Sequence, residues 1–206
     1  MRIITIFFSS LLLGACSVFG YNLDVKEPPY KVLVQDGAYE MREYSSLVLV
    51  KAFSEGDFSK SQDESFNKLF DYISGKNAGN KNIPMTAPVL MEGQGQKIPM
   101  TAPVLMEGSA KGWTMSFVLP HTYTLDTAPK PLDQALTLEE RKNIKYAAFR
   151  FNGLFRDSTF EENSKNLQIW MTKNNVKPAG DAIRAGYNPP WTLPPFRRNE
   201  VLIPVE

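Results

Sequence analysis

Few side chains in this sequence are equipped for chemistry. There is one cysteine, Cys16, and one histidine, His121. One cysteine excludes an internal disulfide framework and any cysteine-rich zinc site, and one histidine excludes multi-histidine metal sites. A Ser-His-Asp hydrolase would have to use His121 as its base. That residue lies in Pro120-His121-Thr122-Tyr123, just past an expected strand, where a lone histidine is ordinarily exposed. It is kept only as an optional metal-ion ligand. Two acidic pairs, Glu139-Glu140 and Glu161-Glu162, are read as solvated faces or caps, because adjacent positions on a helix point apart. Lys76, Gly79 and Lys81 lack the spacing of a phosphate-binding loop. No catalytic constellation emerges, so the expectation is a binding protein without turnover.

What the chain has in quantity is apolar, polarizable surface: 13 Phe, 8 Tyr, 3 Trp and 8 Met. Most of these must be core, yet such side chains also suit a flat apolar ligand. Lys51 and Arg150 sit mid-strand among apolar neighbours. At a pocket rim they would pair with ligand carboxylates; otherwise they reach past their neighbours to solvent. With 206 residues the chain can bury one full core, and 43% apolar with 22% charged residues is ordinary globular composition. The net charge of +1 excludes a strongly basic nucleic-acid binder.

The amino terminus reads as an address. Met1-Arg2 is a short positive start, residues 3–13 are mostly apolar, and Leu13-Gly14-Ala15-Cys16 follows. The run is shorter than the ~20 residues of a spanning helix and has the layout of a secretory signal. Leu-Gly-Ala-Cys is similar to a bacterial lipobox, which implies cleavage after residue 15 and acylation of Cys16. Ser17, rather than Asp, at the next position implies the outer membrane. The expected organisation is therefore a signal peptide at 1–15, a lipid-anchored tether at 16–29 and a domain at 30–206. The location is the bacterial envelope, facing the periplasm. Loss of residues 1–15 removes a single charge, Arg2, and leaves a neutral chain without a polybasic patch, so the lipid alone would hold it.

Alternation predicts strands over 30–35, 39–44 and 47–53, with Asp36-Gly37 as the first turn and Ser45-Ser46 as a break. Ser61 and Glu64 have capping-box spacing and open a helix. Phe66, Leu69, Phe70 and Ile73 follow at i, i+3, i+4 and i+7, and Gly75 is its stop. Further strands are expected over 113–120, 144–152 and 200–205, with loop over 121–136 and a long Pro/Gly-rich connection over 178–195. A second helix starts at Ser158, with Glu161 again at capping-box spacing.

Two repeats stand out. Ile83-Pro84-Met85-Thr86-Ala87-Pro88-Val89-Leu90-Met91-Glu92-Gly93 recurs letter for letter over residues 98–108, fifteen residues on. Two copies are too few for a solenoid, so residues 83–108 are a tandem duplication. A fifteen-residue slip is odd and would turn every side chain to the other face, so one copy is expected to loop out. A weaker repeat places strand, loop, capped helix and two strands twice along the chain, which indicates an α+β fold with an antiparallel sheet.

These residues carry a resemblance. Tyr39-Glu40-Met41-Arg42-Glu43-Tyr44, Phe66-Asn67-Lys68-Leu69-Phe70-Asp71-Tyr72-Ile73-Ser74-Gly75, Met100-Thr101-Ala102-Pro103-Val104, Tyr187-Asn188-Pro189-Pro190-Trp191 and Arg197-Arg198-Asn199-Glu200-Val201 together resemble the SOUL/haem-binding family. The resemblance covers 30–206 and implies a distorted antiparallel β-barrel with two flanking helices, built from two pseudo-symmetric βαββ halves. It also implies non-covalent binding of haem or a related tetrapyrrole in an apolar groove beside the first helix. The site expected from it comprises Phe66, Leu69, Phe70 and Ile73, with Lys51 and Arg150 for the carboxylates and His121 as optional axial ligand. The expected role is a lipid-anchored carrier or scavenger, with the membrane and the tetrapyrrole as its partners. The alternatives are an envelope module binding an unknown protein or another apolar small molecule, and a tetrapyrrole-modifying enzyme. The family has one Met-Thr-Ala-Pro-Val element where this chain has two.

Overall fold

The computed structural model of the chain describes residues 25–56, 58–79, 95–189 and 191–206. The segment 1–15, Cys16 and the first repeat copy, 83–93, lie outside the described residues. Strand β1 (Lys31–Asp36) and strand β2 (Tyr39–Glu55) form the expected hairpin. Gly37, at φ +58°, occupies the left-handed conformation that such a tight turn requires. Helix α1 (Phe58–Ile73) follows, then β3 (Asn77–Ala78), β4 (Val104–Ser109), β5 (Gly112–Val118), β6 (Lys130–Pro131) and β7 (Leu136–Asn152). Helix α2 (Asp157–Lys173), β8 (Ile183–Gly186) and β9 (Arg198–Val205) complete the chain.

The order β1-β2-β5-β4-β8-β9-β7, with β2 also pairing β7, closes a six-stranded antiparallel barrel. β1 is an extra strand beside it, and β3 and β6 form a separate two-stranded ribbon. The fold is α+β, as expected from the runs of strands separated by two helices.

The chain divides into two compact units, each containing one βαββ arrangement. In one, Lys26–Lys31 and Tyr44–Ile144, the second half of β2 pairs β5 and β5 pairs β4. In the other, Val32–Glu43 and Lys145–Glu206, β7 pairs β9 and β9 pairs β8. Each helix packs on a strand of its own unit, α1 on β5 and α2 on β9. The core of the first unit gathers Val48, Val50, Ala52, Leu69, Tyr72, Ile73, Met115 and Phe117. That of the second gathers Ala147, Leu167, Trp170, Met171, Val201 and Ile203.

Several expected boundaries need correction. β2 runs unbroken through Ser45-Ser46, because the ladder continues on both sides of that polar pair. β7 starts at Leu136, so Glu139 and Glu140 lie in a strand and not on a helix or cap. α2 begins at Asp157 after Arg156, so Ser158 lies inside the helix rather than at its cap. The Asp157 carboxylate accepts a 2.8 Å bond from Arg184. The connection over 178–195 contains β8 and a short 3-10 turn at Pro194–Phe196.

The second repeat copy supplies β4, in register Val104↔Phe117 and Met106↔Met115 with β5. Its approach is fastened to the end of α1. Ile98 N donates to Ile73 O at 2.8 Å, Asn77 Nδ2 donates to Gln96 O at 2.8 Å, and Gln96 N donates back to Asn77 Oδ1 at 3.0 Å. A Cβ on Gly95 would lie 1.6 Å from Gly75 O, so the close approach of the two segments requires a glycine there.

Candidate ligand-binding site

The first βαββ unit presents two different faces. On one, even-numbered β2 residues Val50 and Ala52 meet Phe117 and Met115 of β5 beneath α1. The helix lays Ser65, Leu69, Tyr72 and Ile73 against this face and buries them. Leu69 and Ile73 are therefore core residues. Truncating a buried leucine to alanine costs about 2–5 kcal/mol. The buried stripe is centred on Leu69, Tyr72 and Ile73, which leaves Phe66 partly buried and Phe70 47% exposed at its margin.

The two phenylalanine rings stack, with centroids 6.0 Å apart and planes inclined by 12°. Phe66 also meets Phe117 edge-on at 5.5 Å, which ties the outer pair to the core. Met100, Val104, Tyr123 and Leu138 are partly buried against the same cluster. Tyr123 accepts a 2.9 Å bond from Gln96 Nε2. Tyr72 is sealed beneath: its hydroxyl donates to Pro129 O at 2.7 Å, and burial, then Tyr123, pushes its pKa well above the usual tyrosine range. His121 is exposed in the turn after β5, two residues from Tyr123.

Lys51 lies on the opposite face of β2, since its neighbours Val50 and Ala52 point under the helix. Its ammonium is 2.5 Å from Glu139 Oε2, with the side chains 24% and 36% exposed. Glu139 also accepts from Arg141 Nε at 2.6 Å, and Arg141 holds both oxygens of Glu107 at 2.9 and 3.2 Å. Burial opposes ionisation of Glu139, but the hydrogen bonds from Arg141 and Lys51 outweigh it and hold the carboxyl below its ordinary pKa. The structure thus brings Phe66 and Phe70 together at a surface, places Leu69 and Ile73 behind them, and puts Lys51 in a separate polar ladder. Arg150 is an exposed residue of β7 in the other unit.

That other unit holds a polar cluster which the reading of single residues missed. Arg42 and Glu200, 1% and 0% exposed, pair at 2.9 Å. Tyr187 OH donates to Glu200 Oε2 at 2.6 Å, and Arg198 donates to Glu200 Oε1 at 2.8 and 3.0 Å. The Arg198 guanidinium stacks 3.8 Å over the Tyr187 ring. Burial would raise the Glu200 pKa, but the charges of Arg42 and Arg198 and the hydrogen bonds from Arg42 and Tyr187 hold it below the ordinary value. The one local signal is the alternation across residues 39–44, which puts Arg42 in phase with Tyr44. Among the described residues no three His, Cys, Asp or Glu side chains converge as a metal-holding group.

The outer face of α1 presents apolar, polarizable surface. Stacked rings with exposed surface stand there above a closed core, and polarizable Met100 and Tyr123 pack against that same core. Comparison with known proteins bears on what such a surface could hold. The family described as SOUL heme-binding protein matches residues 25–204. Heme-binding protein 2 of Homo sapiens is 30% identical over 175 residues, covering 81% of this chain and 78% of its own. Heme-binding protein 1 of Mus musculus is 26% identical over 198 residues, covering 90% and 94%. Among solved structures, a protein from Listeria innocua described as a hydrolase aligns with a TM-score of 0.54 at 10% identity, over 84% of this chain and 94% of that one. EcmrR in a DNA complex aligns with a TM-score of 0.55, also at 10% identity, over 82% and 58%. At that identity the two structures share the fold alone.

Proposed function

Because the chain belongs to the SOUL heme-binding protein family, we propose that it binds haem or a related tetrapyrrole on the outer face of α1 and carries it without chemical change. The observation that carries this reading is the stacked Phe66–Phe70 pair, left at the surface although the core beneath is complete. Phe66 and Phe70 contact the macrocycle; Leu69 and Ile73 hold the helix that presents them. Bound haem would supply an iron centre, and His121 is the residue that would be the candidate to hold it. The chain's own contribution is apolar contact, exclusion of water and pairing of the ligand carboxylates. Lys51, in the same unit as α1, lies on the face of β2 turned away from the helix and is paired with Glu139, which sets it apart from a ligand on the outer face of α1. Arg150 is exposed but belongs to the other unit.

The same reading places the protein on the bacterial envelope, anchored through acylated Cys16 and facing the periplasm from the outer membrane. The pattern of residues 1–17 supports it. Labelling of the wild-type chain by a fatty-acid analogue, lost in C16S, is the expected result. The binding proposal is tested by titrating the purified protein with hemin. A saturable Soret change at one equivalent is expected, with no product released. A linear, unsaturable response would overturn it.

A further inference from the structure

The haem reading leaves one motif unused, the segment that begins Tyr187-Asn188-Pro189 and ends at Arg198. Its apolar side chains are turned outward. Trp191 is 65% exposed, and Leu193 and Phe196 are each nearly half exposed, while Thr192 between them is buried. Leu154, from the turn after β7, is exposed as well and belongs to the same unit.

The outward display is held by the backbone. Thr192 N donates to Pro189 O, and Phe196 N donates to Leu193 O. Arg197 Nε donates to Thr192 O at 2.6 Å, and Asn188 Oδ1 accepts from Arg198 N at 2.7 Å. Asn152 Nδ2, two residues before Leu154, donates to Pro195 O at 3.1 Å. The loop is wired so that it cannot fold these rings inward without losing those bonds.

We infer that this loop is a membrane-contacting wedge, which inserts Trp191, Leu193 and Phe196 into the interface of an anionic bilayer. Two observations select a lipid surface. The first is area. The three side chains leave on the order of 300 Å² exposed, whereas a stable protein interface takes about 800 Å² from each partner. Shallow insertion of a few apolar side chains is what an interfacial contact requires. The second is charge. Arg184 is buried against Asp157 and Arg198 is paired with Glu200, so the cationic rim is half-buried Arg197 within the segment, with exposed Arg150 and Arg156 either side of Leu154 along the chain. Arginines around an apolar tip complement anionic headgroups, and tryptophan is the side chain most suited to the headgroup level. The inference is independent of the tetrapyrrole proposal.

The test uses the full chain with phosphatidylethanolamine–phosphatidylglycerol vesicles carrying brominated acyl chains, which quench tryptophan only on contact. The protein has Trp113, Trp170 and Trp191, so loss of about one third of the emission is expected, with a blue shift. W191F should abolish the quenching. L193S with F196S should weaken vesicle binding by about tenfold, and high salt should weaken it further. Vesicle association that leaves Trp191 emission unchanged, as an amino-terminal anchor alone would give, overturns the inference. So does quenching that survives in W191F, or a soluble protein partner lost with L193S and F196S while vesicle binding is retained.

Discussion

The two βαββ units use the same strand order for different ends. In the unit holding α2, the polar cluster is dry: Arg42 and Glu200 are sealed, and Tyr187 and Arg198 complete the carboxylate's hydrogen bonds. The helix is sealed by aromatic packing too. Trp170 stacks on Tyr39 at 5.5 Å and donates its indole N–H to Asp36. In the unit holding α1, the ladder of Lys51, Glu139, Arg141 and Glu107 is part-hydrated, and the helix keeps two phenylalanines at its surface. Around its helix and strand ladder, one unit spends its aromatic and ionic groups on its own integrity, its exposed rings being confined to the loop of Trp191 and Phe196. The other leaves them accessible. A repeated architecture can therefore enclose ionic groups in one copy and leave them part-exposed in the other, with no change in topology.

The largest expected effect breaks the dry cluster. Arg42→Met leaves Glu200 buried with a main partner missing, and should cost about 3–5 kcal/mol in urea unfolding. A loss below about 1 kcal/mol would erase the contrast between the units. Next comes pH. The Glu200 pKa is lower folded than unfolded, so its stabilisation is present above the ordinary carboxylate range and is lost as pH falls through the folded value. Urea midpoints recorded from neutral to acidic pH should fall steeply at the acid end for the wild type. They should fall less for Glu200→Gln, which starts from a lower stability. Glu139→Gln removes two ion pairs, to Lys51 and Arg141, that water already screens, and about 1 kcal/mol or less is expected, diminishing with added salt.

A further expectation concerns the repeat. Deleting 83–97 joins Asn82 to Ile98 and moves Asn80 to the place of Gly95, where its Cβ would crowd Gly75 O. The shortened loop recovers a little closure entropy, so a folded chain within about 1–2 kcal/mol of wild type is expected by thermal melting. An unfolded deletion mutant would show that the inserted residues are structural.

Much of this contrast is legible in the amino-acid sequence. Alternation locates β1 and the hairpin turn, and the helical spacing locates α1 with its stop near Gly75, because both are local signals. The start of β7 is not legible there. Its Glu139, Glu140, Arg141 and Lys142 are charged, and they form a strand because ionic and hydrogen-bonding partners complement them. The role of Phe70 is half legible. Spacing puts it on the apolar stripe, but only the packing of Leu69, Tyr72 and Ile73 shows that it falls at the stripe's edge. The Arg42–Glu200 pair joins residues 158 positions apart, which no local pattern reveals.

The central claim is that accessible aromatics on α1 hold the ligand, and a single substitution separates this from a structural role. Phe70 is half exposed, so Phe70→Ser should cost about 1–2 kcal/mol of unfolding free energy in urea and leave the chain folded. Hemin titration of that variant should show affinity weakened by about tenfold, from lost apolar contact. Unchanged hemin affinity in a fully folded Phe70→Ser variant would contradict the account.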